Sequence, residues 1–145
     1  MTPVQVRRAT LAEILALRHA ELRPGLPRGT AEFDGDDEPT TVHVGAFSGA
    51  EVVGCASWMR RPWHGQPAWQ LRGMATRADL VRRGVGRAVL TTSDGLLRDG
   101  SDVRLLWCNA RVAAIAFYER LGWEVASSVF DVPTVGPHRT MTRRL

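Results

Sequence analysis

Lysine is absent from this chain of 145 residues: all 19 of its basic residues are arginine. Against 15 acidic residues the balance is a modest +4. The isoelectric point still sits near 10.3, because guanidinium groups stay protonated where ammonium groups do not. So small a net charge does not by itself imply a polyanionic partner; what matters is where the arginines gather. Cysteine is scarce, Cys55 and Cys108 alone, each inside an apolar stretch. That excludes a disulfide framework or a zinc site and suits reduced, buried thiols of a cytoplasmic protein. No stretch approaches the ~18 apolar residues that span a bilayer, and the opening MTPVQVRRAT lacks the apolar core of a signal peptide, so neither membrane insertion nor secretion is expected. The 14 glycines and 8 prolines fall without period, which excludes collagen-like and low-complexity chains. The remainder, 44% hydrophobic and 23% charged, is the composition of one folded domain, 1–145, with a core that needs no staple.

Val4–Arg8 alternates like a short strand. Thr10 and Glu13 form a T-x-x-E capping box ahead of Leu11, Ile14, Leu15 and Leu22, and Pro24-Gly25 ends that helix. Residues 24–40 read as an acidic loop with at most one helical turn. Thr41–Phe47 and Val52–Met59, joined by Ser48-Gly49-Ala50, read as a hairpin. Trp69–Thr76 is the next strand, 84–98 a helix and Val103–Cys108 a buried strand. Ala110–Leu121 has a helical apolar face closed by Gly122. Two strands near Glu124–Val132 and His138–Leu145 finish a mixed α/β (α+β) domain. Its strand–helix–strand unit at 69–108 predicts a parallel crossover.

Trp69–Leu90, WQLRGMATRADLVRRGVGRAVL, carries the chemistry. A strand ends there, a loop rich in arginine and glycine follows, and a helix begins. Helix starts expose unpaired N–H groups and a positive dipole end. Arg82, Arg83 and Arg87 crowd that point, although a cation there is unfavourable by roughly 0.3–1 kcal/mol. An anion among them reverses the sign, and Gly84 and Gly86 let it approach the backbone. Walker A needs a lysine, and the dinucleotide fingerprint needs a small residue where Val89 stands, so neither common nucleotide motif applies.

With NARVAAIAFYERLGW downstream, these residues resemble the GNAT superfamily of acyl-CoA-dependent N-acyltransferases. The family's pyrophosphate loop Q/R-x-x-G-x-G/A is matched by Val81-Arg82-Arg83-Gly84-Val85-Gly86, with Val81 departing at the first position. Asn109 and Phe117-Tyr118-Glu119-Arg120-Leu121-Gly122-Trp123 match its second signature. The resemblance implies a central sheet of about seven strands with about four helices, and a V-shaped slot between the fourth and fifth strands. It implies acetyl-CoA as donor: Met74, Ala75 and Thr76 would face the pantetheine arm and acyl carbonyl, with Gly73 in a bulge. The segment Arg82, Arg83, Gly84, Val85, Gly86 and Arg87 would cradle the pyrophosphate, with Asn109 and Phe117 also at the cofactor. Tyr118, the sole tyrosine, would be the catalytic residue facing the departing thiolate. Tyrosine titrates near ~10 and a thiol near ~8.5, so full proton transfer is uphill by ~2 kcal/mol and a hydrogen bond to sulfur fits better.

The attacking amine must shed a proton first. Gln70 stands where some family members carry a glutamate and cannot take it, leaving His64, His138 or a water chain. The acidic run Glu32–Glu38 offers either attraction for a cationic amine or a solvated loop. Trp58, Trp63 and Trp69 offer a pocket wall or core packing. The expected activity is N-acetylation of a primary amine, on a small molecule or peptide, by direct attack in a ternary complex. No nucleic-acid or membrane partner is expected, and a homodimer is possible. Two other readings are an arginine-rich nucleic-acid-binding module and a domain that binds acyl-CoA without turnover.

Overall fold

The computed structural model describes residues 3–145. Its elements are β1 (Val4–Ala9), α1 (Leu11–Leu22), β2 (Val42–Ser48), β3 (Glu51–Arg60), β4 (Trp69–Thr76), α2 (Val85–Gly100), β5 (Leu105–Arg111), α3 (Ile115–Arg120), β6 (Glu124–Val125), β7 (Phe130–Val132) and β8 (Gly136–Arg144). Single 3-10 turns lie at Arg28–Ala31, Ala78–Leu80 and Val112–Ala114. One mixed sheet takes in every strand, in the order β1-β2-β3-β4-β5-β8-β6, with β7 also paired to β8. β1 to β4 run antiparallel, β4 and β5 run parallel, and β8 returns antiparallel to β5. β2 and β3 are buried along nearly their whole length, as strands covered on both faces must be. α2 contributes Val85, Val89, Leu90 and Leu97 to one core cluster with Val44, Trp58 and Leu106. α1 contributes Ile14 and Leu17 to another, with Phe47, Cys55 and Ala75.

Local chemistry explains the starts and stops. Thr10 accepts a hydrogen bond from the Glu13 amide, and Glu13 Oε1 accepts one from the Thr10 amide at 2.9 Å, so the capping box is complete. Gly122, at φ 90°, follows α3 in the left-handed region that favours glycine. Three expectations need correction. The strand expected to end at Cys108 runs on to Arg111, because Asn109, Ala110 and Arg111 pair with Thr140, Arg139 and His138 of β8; α3 is correspondingly short. The strand expected over 124–132 is two strands. Between them Ser127 turns inward: its Oγ accepts the Thr140 amide at 2.8 Å and its carbonyl accepts Arg139 Nε at 3.0 Å. Among the described residues the sheet therefore has eight strands, and three α-helices stand beside it, the expected extra turn near 24–40 being the 3-10 turn Arg28–Ala31.

The sheet opens at one place. β4 pairs with β5 through Trp69, Gln70 and Leu71 against Leu106, Trp107 and Cys108. Beyond Leu71 the strands part, and β5 continues along β8 alone. The cause lies on the other edge of β4. Ser57 pairs with Arg72 and Cys55 with Ala75, so Gly73 and Met74 together oppose the single residue Ala56. Gly73 takes φ 62° in this bulge, and a Cβ there would lie 2.7 Å from Arg18 Nε. The bulge bends β4 away from β5.

Candidate active site

Two hollows flank the gap between β4 and β5. The larger, about 950 Å³, lies between the second half of β4, the start of α2 and α3; Met74, Ala75, Thr76, Gly86, Phe117 and Tyr118 are among its walls. Arg82, Arg87 and Arg120 stand at its mouth, all exposed. The smaller, about 250 Å³, lies on the other side of the gap, among Gln70, Arg72, Cys108, Asn109, Arg111 and His138. Met74, Ala114 and Tyr118 line both, so the two hollows are neighbours across these side chains.

The larger hollow suits a long, partly anionic ligand. α2 starts at Gly84, φ 83°, with no side chain capping it, so its first amides must be met from outside. A Cβ on Gly86 would come within 3.2 Å of Met74 Cε and Phe117 Cζ, so any larger residue would narrow the passage. Arg82 itself takes φ 64°, a strained conformation for a non-glycine residue and one that clusters at ligand sites. Arg83 lines a separate hollow with Val4, Val6 and Arg77. The Val85 side chain is buried in the core, and it reaches this place only through its amide. Asn109 lies in the smaller hollow, where its Oδ1 accepts the Thr140 hydroxyl at 2.9 Å.

Tyr118 is 6% exposed. Phe117 and Trp123 meet its ring edge-on, at 5.2 and 5.5 Å between centroids. Burial, with Cys108 beside it, raises the Tyr118 hydroxyl well above its ordinary value. The hydroxyl therefore keeps its proton at neutral pH. Burial likewise pushes the thiols of Cys55 and Cys108 up to about 12, which keeps them protonated and poorly nucleophilic at neutral pH.

The two candidate bases part company. His64 is exposed in the 61–68 loop, at φ 46° and stacked on Trp63 at 4.0 Å, and lines neither hollow. His138 is buried and lines the smaller one, with Phe130 6.1 Å from its ring. Its Nδ1 lies 2.7 Å from the Gly136 carbonyl. A carbonyl can only accept, so Nδ1 carries the hydrogen and Nε2 of the neutral ring has the lone pair.

No carboxylate of the acidic run lines either hollow, although Phe33 within it lines the smaller one. Asp36 is buried in a bidentate pair with Arg18, at 2.7 and 3.0 Å, and accepts the Phe33 amide at 2.7 Å. Glu38 pairs with Arg61, and Asp34 is fully exposed. Trp58 and Trp69 are core residues. The sequence pattern singled out neither Phe33, Arg72 nor Arg111, which line the smaller hollow together with Arg23. The one available signal was Arg72, a guanidinium inside the β4 strand; Arg111 ends β5 and Arg23 follows α1.

A family model described as the Acetyltransferase (GNAT) family matches residues 10–123. The uncharacterized N-acetyltransferase YitI of Bacillus subtilis (strain 168) is 28% identical, over 98% of this chain and 97% of that protein. Escherichia coli ElaA superposes with a TM-score of 0.82 at 15% identity, covering 97% of this chain and 99% of that one. An aminoglycoside 6'-N-acetyltransferase complexed with coenzyme A gives 0.76 at 12%, covering 97% and 96%. Fold, hollows and family model agree: the chain belongs to the GNAT family of acetyltransferases, as an acyl-CoA N-acyltransferase whose donor is acetyl-CoA.

Proposed function

We propose that the enzyme transfers the acetyl group directly to the primary amine of a small molecule, with donor and acceptor bound together. One observation carries this reading: the two hollows are neighbours that share Met74, Ala114 and Tyr118 as walls. Each reactant has its own chamber, and their reactive ends can meet without a covalent enzyme intermediate. The high thiol values of Cys55 and Cys108 favour the same conclusion.

Bound acetyl-CoA supplies an activated thioester. The edge of β4 beyond Leu71, freed from β5, offers backbone groups of Met74–Thr76 to hold the arm and polarise the carbonyl. The first amides of α2, with Arg82 and Arg87, suit the pyrophosphate. His138, which lines the acceptor hollow with a lone pair left on Nε2, takes the proton that the amine must lose in this reading, and Gln70 in the same hollow cannot. The Tyr118 hydroxyl donates a hydrogen bond to the departing sulfur. A screen of primary amines with acetyl-CoA, following thiol release, tests the reading. Turnover with at least one small amine is expected, with kcat falling about a hundredfold in His138→Gln. Coenzyme A binding without turnover of any amine would favour a non-catalytic acyl-CoA-binding domain instead.

A further inference from the structure

The smaller hollow holds an excess of positive charge that the protein does not neutralise. Arg23, Arg72 and Arg111 all line it, and among the described residues no carboxylate does. None of the three forms an ion pair among those residues; the carboxylates near them are committed elsewhere, Asp36 to Arg18 and Glu38 to Arg61. Nor are these arginines loose surface groups. Arg23 Nη1 and Arg111 Nη2 both donate to the Leu22 carbonyl, at 2.9 and 3.3 Å, which draws two like charges onto one oxygen. Arg72 and Arg23 lie over the Phe33 ring at 4.5 and 5.6 Å, beside Arg18 at 4.3 Å. Phe33 is in turn fixed through its amide to Asp36. Burial, then the Arg111 and Arg18 charges, lowers the Arg23 guanidinium below its usual value. For Arg72 the order is burial, then Arg18, with Asp36 opposing and Arg23 and Arg61 adding to the decrease. Holding three like charges together in a part-buried site is unfavourable unless an anion joins them. The donor does not bring one, since its end at this gap is a neutral thioester.

Resting on the acetyl-transfer reading above, we propose that the acceptor is a small primary amine that also carries a negative group, a carboxylate or a phosphate ester, received by Arg23, Arg72 and Arg111. Guanidinium forks suit either group. Such a contact fixes one end of the acceptor and leaves its amine to face the junction at Tyr118. The hollow of about 250 Å³ is at the small end for ligand sites, which suits a compact amino acid or amino phosphate rather than a chain.

The test uses matched acceptors: amino carboxylates against their carboxamides, and aminoalkyl phosphates against the corresponding amino alcohols. Acetylation is followed by thiol release. At least one charged member should exceed its neutral partner in kcat/KM by about tenfold or more, through KM, and which series wins identifies the anion. In Arg111→Gln and in Arg72→Gln that ratio should fall toward one, while the rise in melting temperature with coenzyme A persists and reports an intact fold. Equal or better turnover of the neutral partners overturns the proposal. If no pair is turned over, calorimetric binding of the same pairs to the coenzyme A complex decides by the same criterion. Loss of the coenzyme A shift in the wild type is a different result, and strikes the acyl-transfer reading itself.

Discussion

Tyr118 shows how burial decides a side chain's role. Its hydroxyl is pushed up by desolvation, so it keeps its own proton, and in the proposed reaction it would serve the leaving sulfur only as a hydrogen-bond donor. Tyr118→Phe should therefore lower kcat by about a hundredfold and leave the melting-temperature rise with coenzyme A intact, as steady-state rates and thermal shift would show. Cys108 lines the smaller hollow yet stays unionised, like Cys55, with both thiols near 12. Neither should react with a soluble thiol reagent at about pH 8 in the native protein, and both should react at once in denaturant; mass spectrometry of timed samples reads this directly. Tyr118 stood among the candidates through its match to the family signature, and His138 because imidazole can take a proton. The sequence did not distinguish His138 from His64. That difference comes from β8 running beside β5, with His138 opposite Arg111, and from nothing near either histidine in the chain.

Among the elements, those with local causes were legible. The capping box, the β2–β3 hairpin and the Gly122 stop each follow from neighbouring residues. The Glu13 carboxyl of that capping box is held at about 2, against an ordinary 4.5, first by the Arg7 hydrogen bond and next by the Thr10 amide. A depressed carboxylate stabilises the fold above its unfolded value and loses that contribution as pH falls through its folded value. Urea unfolding of wild type and Glu13→Gln should thus differ at about pH 6 and converge as pH approaches about 2; the pair is partly exposed, at 42% and 34%, so the gap is small. α2 is set by contact at a distance. A Cβ on Gly54 would lie 2.6 Å from Val85 Cγ1, just inside the helix start. Gly54→Ala should shift the start of α2, cost about 1–3 kcal/mol in chemical denaturation and weaken coenzyme A. The C-terminal half was less legible, because pairing with β8 outweighs the helical pattern at Asn109–Arg111 and because Ser127 breaks the next strand.

Across the whole molecule, the smaller hollow draws on the end of α1, the following loop, β4, β5, the segment after β7 and the start of β8. No window of sequence contains it, so its cationic lining emerged only from the fold, whereas the arginine-glycine stretch before α2 sits in consecutive residues. The same layout has a consequence for traffic. The hollows proposed for donor and acceptor have Met74, Ala114 and Tyr118 as common walls. With one reactant in each hollow, as proposed, spent coenzyme A and acetylated product would have separate exits, and neither would have to depart before the other. Product-inhibition kinetics should show coenzyme A competing with acetyl-CoA and the acetylated product competing with the amine, each blocking its own doorway.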